Sequence, residues 1–329
     1  MLPVALDAMG GDRAPAEIVS GAHRAVAERG VQVILVGRPA DIDDPRDLEV
    51  HPASEVIGMG DDPARAVRTR KDSSLVRAAE LVRDGRASAM VSAGNTGATV
   101  ASALLRMGRI KGVSRPAVAA PIPVPGSTPT VLVDAGAMAE CQPGWLVQFA
   151  QMGSVYAATR YGLESPRVGL LSIGEEASKG TALVKDTHAL LSDTPGIRFI
   201  GNVEGRDIMS PEVDVVVTDG FTGNVVLKTL EGSLNMLVRS IGGVMLSPEA
   251  GQAGTRALEL LAPLAEQMDP DATGGAMLLG VDGVCIISHG SSSATAIVNA
   301  VAVARDMAEG GLVEALRAAV GAAVGGPRR

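Results

Sequence analysis

An α/β fold, doubly wound around a mainly parallel sheet with helices on both faces, is what this 329-residue sequence predicts. Three observations carry that expectation. Short runs of Val, Ile and Leu, apolar throughout, alternate with helix-forming stretches, as strands covered on both faces by helices must. Four of these runs stop at glycine-rich polar corners: DAMGGD from Asp7, SAGNTG from Ser92, DGFTGN from Asp219 and HGSSS from His289. Hydrophobic residues make up 46% of the chain but aromatics only 2%, so the core must be Ala, Val, Leu and Ile packed closely around 40 glycines.

Strands are expected at Leu2 to Leu6, Val31 to Val36, Ala89 to Ser92, Thr130 to Val133, Val168 to Ser172, Ile197 to Ile200, Val213 to Thr218 and Val284 to Ser288. Helix ends are marked between them. Pro15 stands near one start with Gly30 beyond its end; Asp72 and Ser73 precede Leu75 to Arg83, with Gly85 after; Pro143 opens a stretch running to Tyr161. From Gly223 to Gly275 the pattern is two successive helices joined near Ser247 to Gly251, a projecting helical hairpin. Pro121 to Pro129 reads as a loose Pro/Gly stretch, and Gly325 to Arg329 as a fraying tail. Residues 1–329 are expected to form a single domain, with two intimately packed lobes as an admissible subdivision.

Composition removes several function classes. A net charge of -8 and the shortage of stacking aromatics oppose a nucleic-acid partner. Cys141 and Cys285 are the only cysteines, both beside apolar sequence, which argues against a disulfide framework or a zinc site and for a reducing cytoplasm. The N-terminus lacks the features of a secretory signal, and the apolar region from Ala117 to Met138 is broken by Pro121, Pro123, Pro125, Pro129 and Asp134. No convincing set of clustered aspartates or histidines for a divalent metal stands out.

The corners carry the chemistry. Glycines let backbone approach a ligand, and the first amides of a following helix attract anions. Asp7, Gly10, Gly11, Asn95, Thr96 and Gly97 are therefore candidate phosphate-cradle residues, although the Asp7 and Asn95 corners, each taken alone, read more simply as ordinary caps. In IGEEASKG from Ile173, Lys179 follows a strand and Lys185 lies on the next helix; both could hold an anion, and both could equally be solvated charges. Gly223 and Asn224 end the third corner, where an Asn amide can act as an oxyanion donor. His289, Gly290 and Ser291 form the fourth, with a substrate role and a structural role for His289 evenly balanced. No G-x-S-x-G elbow, P-loop or H-E-x-x-H is present. A substrate such as inorganic phosphate would then supply the nucleophile.

Together these segments resemble the PlsX phosphate acyltransferase family: VALDAMGGDRAP from Val4, VSAGNTGA from Val91, IGEEASKGTALVK from Ile173, VDVVVTDGFTGNVVLKTLEG from Val213 and GGAMLLGVDGVCIISHGSS from Gly274, in order along nearly the whole chain. The resemblance implies transfer of a long-chain acyl group from acyl carrier protein to inorganic phosphate, yielding acyl phosphate for phospholipid synthesis. It further implies a fold like that of isocitrate and isopropylmalate dehydrogenases, a homodimer, no metal or organic cofactor, a downstream glycerol-3-phosphate acyltransferase as partner, and peripheral membrane association through the hairpin. Around Gly251 to Asp271, however, Glu259, Glu266, Asp269 and Asp271 outnumber Arg256, so at most loose membrane contact is expected. On this reading Lys185 and Lys179, with the amides of Asn95 to Gly97, hold phosphate; Asn224 stabilises the oxyanion; and His289 orients phosphate or assists proton movement. Basic patches for the acidic carrier would be Arg65, Arg68, Arg70, Lys71 with Arg77, and Arg106, Arg109, Lys111 with Arg115. A short-chain phosphate acetyl- or butyryltransferase using coenzyme A, a metal- and NAD-dependent dehydrogenase, and a carrier-binding scaffold are the competing readings.

Overall fold

The computed structural model describes residues 2–324; the expected fraying tail from Gly325 to Arg329 lies outside the described residues. Eleven strands build one sheet: β1 (Val4–Asp7), β2 (Val33–Gly37), β3 (Glu49–Pro52), β4 (Ala89–Ser92), β5 (Ala117–Ile122), β6 (Thr130–Val133), β7 (Arg167–Leu171), β8 (Arg198–Val203), β9 (Val215–Val217), β10 (Ala276–Leu279) and β11 (Val284–Ile287). Their order is β3-β2-β1-β4-β11-β10-β5-β6-β9-β7-β8. The helices are α1 (Ala16–Arg29), α2 (Pro63–Thr69), α3 (Ser74–Arg83), α4 (Thr96–Arg106), α5 (Pro143–Tyr161), α6 (Ala182–Ser192), α7 (Gly220–Met245), α8 (Gly251–Gln267), α9 (Ala294–Glu309) and α10 (Leu312–Val324).

Residues on alternate sides of each strand enter two separate cores. Leu6, Val91, Val133 and Ile286 pack with α1, α5 and α9, whereas Ala5, Met90, Leu132 and Cys285 pack with α2, α3 and α4. This is the double winding expected, and every anticipated strand is present within two or three residues of its expected ends.

Three strands were not anticipated. β3 is a half-exposed edge strand with little apolar pattern, β10 reads AMLL and fits helix as well as strand, and β5 lay inside the Pro-rich region. All six residues of β5 are nonetheless buried, Pro121 among them. β10 and β5 are the antiparallel members of this mainly parallel sheet, pairing antiparallel with β11, with each other and with β6. The strands on either side of them consequently run in opposite directions.

Register explains how one site can still form. Leu6 pairs with Val91, Val91 with Ile286, Ile286 with Met277, Met277 with Ala119, Ala119 with Val133, and Val133 with Val217. That row crosses the sheet at the carboxyl ends of β1, β4 and β11 on one side and of β6 and β9 on the other. The two halves are staggered so that their carboxyl ends meet in the middle, where open α/β sheets bind ligands.

The projecting hairpin is present as α7 and α8, joined at 246–250. Only Gly220 and Gly223 of the 26-residue α7 are buried, so most of it stands away from the sheet. It carries exposed Met236, Val244 and Leu246, and α8 exposes Leu260.

Candidate active site

Three glycine-rich corners interlock at the row of strand ends. Asp7 is buried; its carboxylate accepts from the Ser92 hydroxyl at 2.7 Å and the Met9 amide at 3.2 Å, and burial pushes its pKa up. Gly10 is packed so tightly that a Cβ would lie 2.8 Å from the Gly94 nitrogen. Gly11 holds a left-handed φ of 117°, and the next amide, Asp12, donates to the Gly290 carbonyl at 2.7 Å. Arg13 donates to the Ser291 carbonyl, closing the ring of corners.

Asn95 behaves as a cap. Its Oδ1 accepts from the Ala98 amide at 3.0 Å, and its Nδ2 donates to the carbonyls of Met59 at 2.9 Å and Asp61 at 3.2 Å. The side chain is therefore occupied, and what remains for a ligand is the amides of Thr96 and Gly97, which have no hydrogen-bond partner among the described residues. Gly97 is pressed against Pro63, where a Cβ would meet Cγ at 2.7 Å.

Opposite stands the start of α7, capped by Asp219, whose carboxylate accepts from the Thr222 amide at 2.9 Å. Gly223 allows the helix to rest on the β6–α5 loop, because a Cβ there would collide with the Asp134 carbonyl. Asp134, fully buried, stiffens that loop by accepting four amides: Val118 at 2.9 Å, Gly136 at 3.1 Å, Ala137 at 2.9 Å and Met138 at 2.7 Å. Burial pushes its pKa up while the four donors pull it down. Asn224 extends from α7, with Nδ2 3.4 Å from the Ala135 carbonyl, which orients one N–H and leaves the second for a ligand.

Between these walls lies a cavity of about 300 Å³. Its inner surface is apolar, lined by Val118, Ala120, Ile122, Leu227, Leu230 and Ile287; its rim carries Thr96, Asn224, Lys228, Glu231 and His289. His289 Nε2 lies 3.2 Å from Glu231 Oε1, and Lys228 Nζ donates to Glu231 Oε2 at 2.7 Å. Burial works against ionisation of Glu231, but its bonds to His289 and Lys228 outweigh that and hold the carboxyl below its ordinary value. Neither thiol is a thiolate near neutrality: burial pushes Cys141 to about 11 and Cys285 to about 12. Among the described residues, no three His, Cys, Asp or Glu side chains gather as a metal cluster.

A family model described as fatty acid synthesis protein matches residues 2–315. The chain belongs to that family. Among its relatives, the phosphate acyltransferase of Elusimicrobium minutum is 49% identical over 95% of this chain and 94% of its own. That of Desulfitobacterium hafniense is 46% identical over 96% and 97%. The fold is shared more widely. A phosphotransacetylase from Streptococcus pyogenes superposes with TM-score 0.64 at 17% identity over 94% of both chains, and a 4-hydroxythreonine-4-phosphate dehydrogenase from Klebsiella pneumoniae with 0.54 at 13% identity over 94% of this chain and all of that one. Those two likenesses show architecture alone.

Within this family member the corners of Asp7, Asn95 and His289 come together and Asn224 faces them across the cavity. Lys179 and Lys185 do not join them; both are exposed, on the β7–α6 loop and on α6, and neither lines the cavity. The sequence reading also passed over Lys228, Glu231 and Asp134. Asn224, Lys228 and Glu231 are spaced i, i+4, i+7, one helix face, which was the available signal.

Proposed function

We propose that the protein transfers a long-chain fatty acyl group from the thioester of acyl carrier protein to inorganic phosphate, giving acyl phosphate for phospholipid synthesis. The observation that carries this reading is the cavity itself, an apolar interior for an acyl chain beneath a rim bearing an amide, an ammonium group and an imidazole. It agrees with the activity named for the relatives.

The chemistry needs little beyond positioning. A phosphate oxygen attacks the thioester carbonyl carbon, the new C–O bond forms, and collapse of the tetrahedral intermediate breaks the C–S bond. The carrier departs as a thiolate, whose conjugate thiol has a pKa near about 8.5, so departure needs little acid assistance. Asn224 Nδ2 donates to the developing oxyanion. The Thr96 and Gly97 amides, with the cation Lys228 and with His289 oriented by Glu231, seat the phosphate. In this scheme Lys228 takes the place at the cavity first assigned to Lys185.

Carrier docking is assigned to the α2 face. Arg70, Arg77 and Arg106 are engaged by Asp61, Asp72 and Glu80, whereas Arg65, Arg68 and Lys71 have no ion-pair partner among the described residues. These three cations suit an acidic carrier. The apolar faces of the hairpin supply the contact for a homodimer. Near its base Glu266, Asp269 and Asp271 disfavour anionic lipid, so membrane contact is loose and the location cytoplasmic. No helix among the described residues is long and apolar enough to cross a membrane.

The test is phosphate-dependent formation of acyl phosphate from palmitoyl-acyl carrier protein, with acetyl-coenzyme A as a parallel donor. Product from the carrier substrate alone is expected; product only from acetyl-coenzyme A would move the protein to the short-chain reaction.

A further inference from the structure

Ser288 is the residue after β11, only 6% exposed, with its amide bonded to the Ser92 carbonyl at 2.8 Å. Its hydroxyl oxygen is buried and has no hydrogen-bond partner among the described residues. Other buried side-chain atoms share that condition, those of Ser102, Gln151, Tyr161, Ser172 and Asn202 among them, but none of these lines the cavity between α4 and α7, whereas Ser288 does. Gly275 closes one side of the hydroxyl: a Cβ there would stand 3.2 Å from Oγ. Gly94, Thr96, His289 and Gly290 line the same cavity.

A buried hydroxyl without a partner destabilises the protein that contains it, and such groups are rare enough to require an explanation. Here the explanation is a ligand. Ser288 lines the same cavity as Thr96, whose unpartnered amide opens α4, where the positive end of the helix dipole favours an anion. We propose that Ser288 is a phosphate-binding residue, its hydroxyl donating to an oxygen of the phosphate seated beside Thr96 and His289. This rests on the function proposed above and extends it to a side chain outside the glycine-rich corners. Ser288 makes and breaks no covalent bond; the phosphate oxygen remains the attacking group.

The experiment is Ser288→Ala, compared with the parent in thermal melts with and without inorganic phosphate and in steady-state kinetics against both substrates. Without phosphate the variant should melt no lower than the parent, because the lost hydroxyl had no partner. The phosphate-induced rise in Tm should largely vanish, and the KM for phosphate should increase roughly 10- to 100-fold, the worth of a hydrogen bond to a charged group. The KM for palmitoyl-acyl carrier protein should stay within about twofold of the parent's. An unchanged response to phosphate would overturn the assignment, as would a lower melting point without phosphate accompanied by equal losses toward both substrates, the mark of a structural hydroxyl. A parent stabilised by phosphate but inactive in transfer would refute the proposed reaction while leaving the Ser288 comparison intact; a parent that neither binds phosphate nor transfers would overturn both.

Discussion

His289 Nε2 and Glu231 Oε1 stand 3.2 Å apart, joining the corner after β11 to the flank of the otherwise protruding helix α7. Lys228, one turn earlier on the same helix, holds the other carboxylate oxygen. Glu231 thus fixes the imidazole and ties the base of the hairpin to the cavity rim. Glu231→Gln keeps the side-chain shape and removes the charge. Turnover should fall about 10- to 100-fold through misplacement of the ring. Because this carboxyl sits below its ordinary value, the parent contact is present above the ordinary carboxylate pKa and is lost only as pH falls through the depressed one. The variant, having no carboxyl to protonate, should lack that acid limb; identical acid limbs in the two rate profiles would contradict the role.

Asn224→Ala should lower turnover roughly 100-fold or more, the effect of deleting one oriented oxyanion donor. The residue is exposed and its side chain makes, among the described residues, only the 3.4 Å bond to Ala135, so the melting temperature should scarcely move. Near-normal turnover in the purified variant would remove Asn224 from the mechanism.

Much of this site is written locally in the chain. The corners after Leu6, Val91, Val217 and Ile287 are legible because glycines, capping residues and apolar runs obey short-range rules, and the hairpin because its two helices and their break need no distant partner. Convergence is another matter. Which corners meet depends on the stagger between oppositely running halves of the sheet, set by β5 and β10, whose prolines and short Ala/Met/Leu runs hide them. For that reason Lys179 and Lys185 looked equivalent to Asn224 along the sequence and lie away from the cavity in space. Asp134 was invisible for a similar cause: one Asp after an apolar run does not announce that four amides will fold around it.

Acid stability offers a check remote from the cavity. Asp72 accepts from the Ser54 hydroxyl at 2.5 Å and from Arg77 Nε at 2.7 Å, bonds that lower its pKa from 3.8 to about 2. A carboxyl depressed on folding contributes stability that is present above its unfolded value and lost as pH falls toward the folded one. Urea midpoints of the parent should therefore decline between about pH 4 and pH 2 more steeply than those of Asp72→Asn. The difference should be modest, since the side chain is partly exposed. Parallel curves would show that the pair contributes nothing.

Docking of the carrier should be electrostatic. Arg65→Glu combined with Arg68→Glu should reduce kcat/KM for palmitoyl-acyl carrier protein roughly tenfold at low salt, with little change in the KM for phosphate. The deficit should shrink as ionic strength rises and the screening length falls below about 10 Å. A deficit insensitive to salt would place the docking surface elsewhere.

Direct attack by phosphate on the carrier thioester is the claim on which the rest depends, and single-turnover release of carrier thiol, followed with and without phosphate, tests it most directly. The account predicts no thiol release without phosphate and, with it, one acyl phosphate formed per thiol freed. A stoichiometric burst of thiol in the absence of phosphate, with the acyl group retained on the protein, would contradict it.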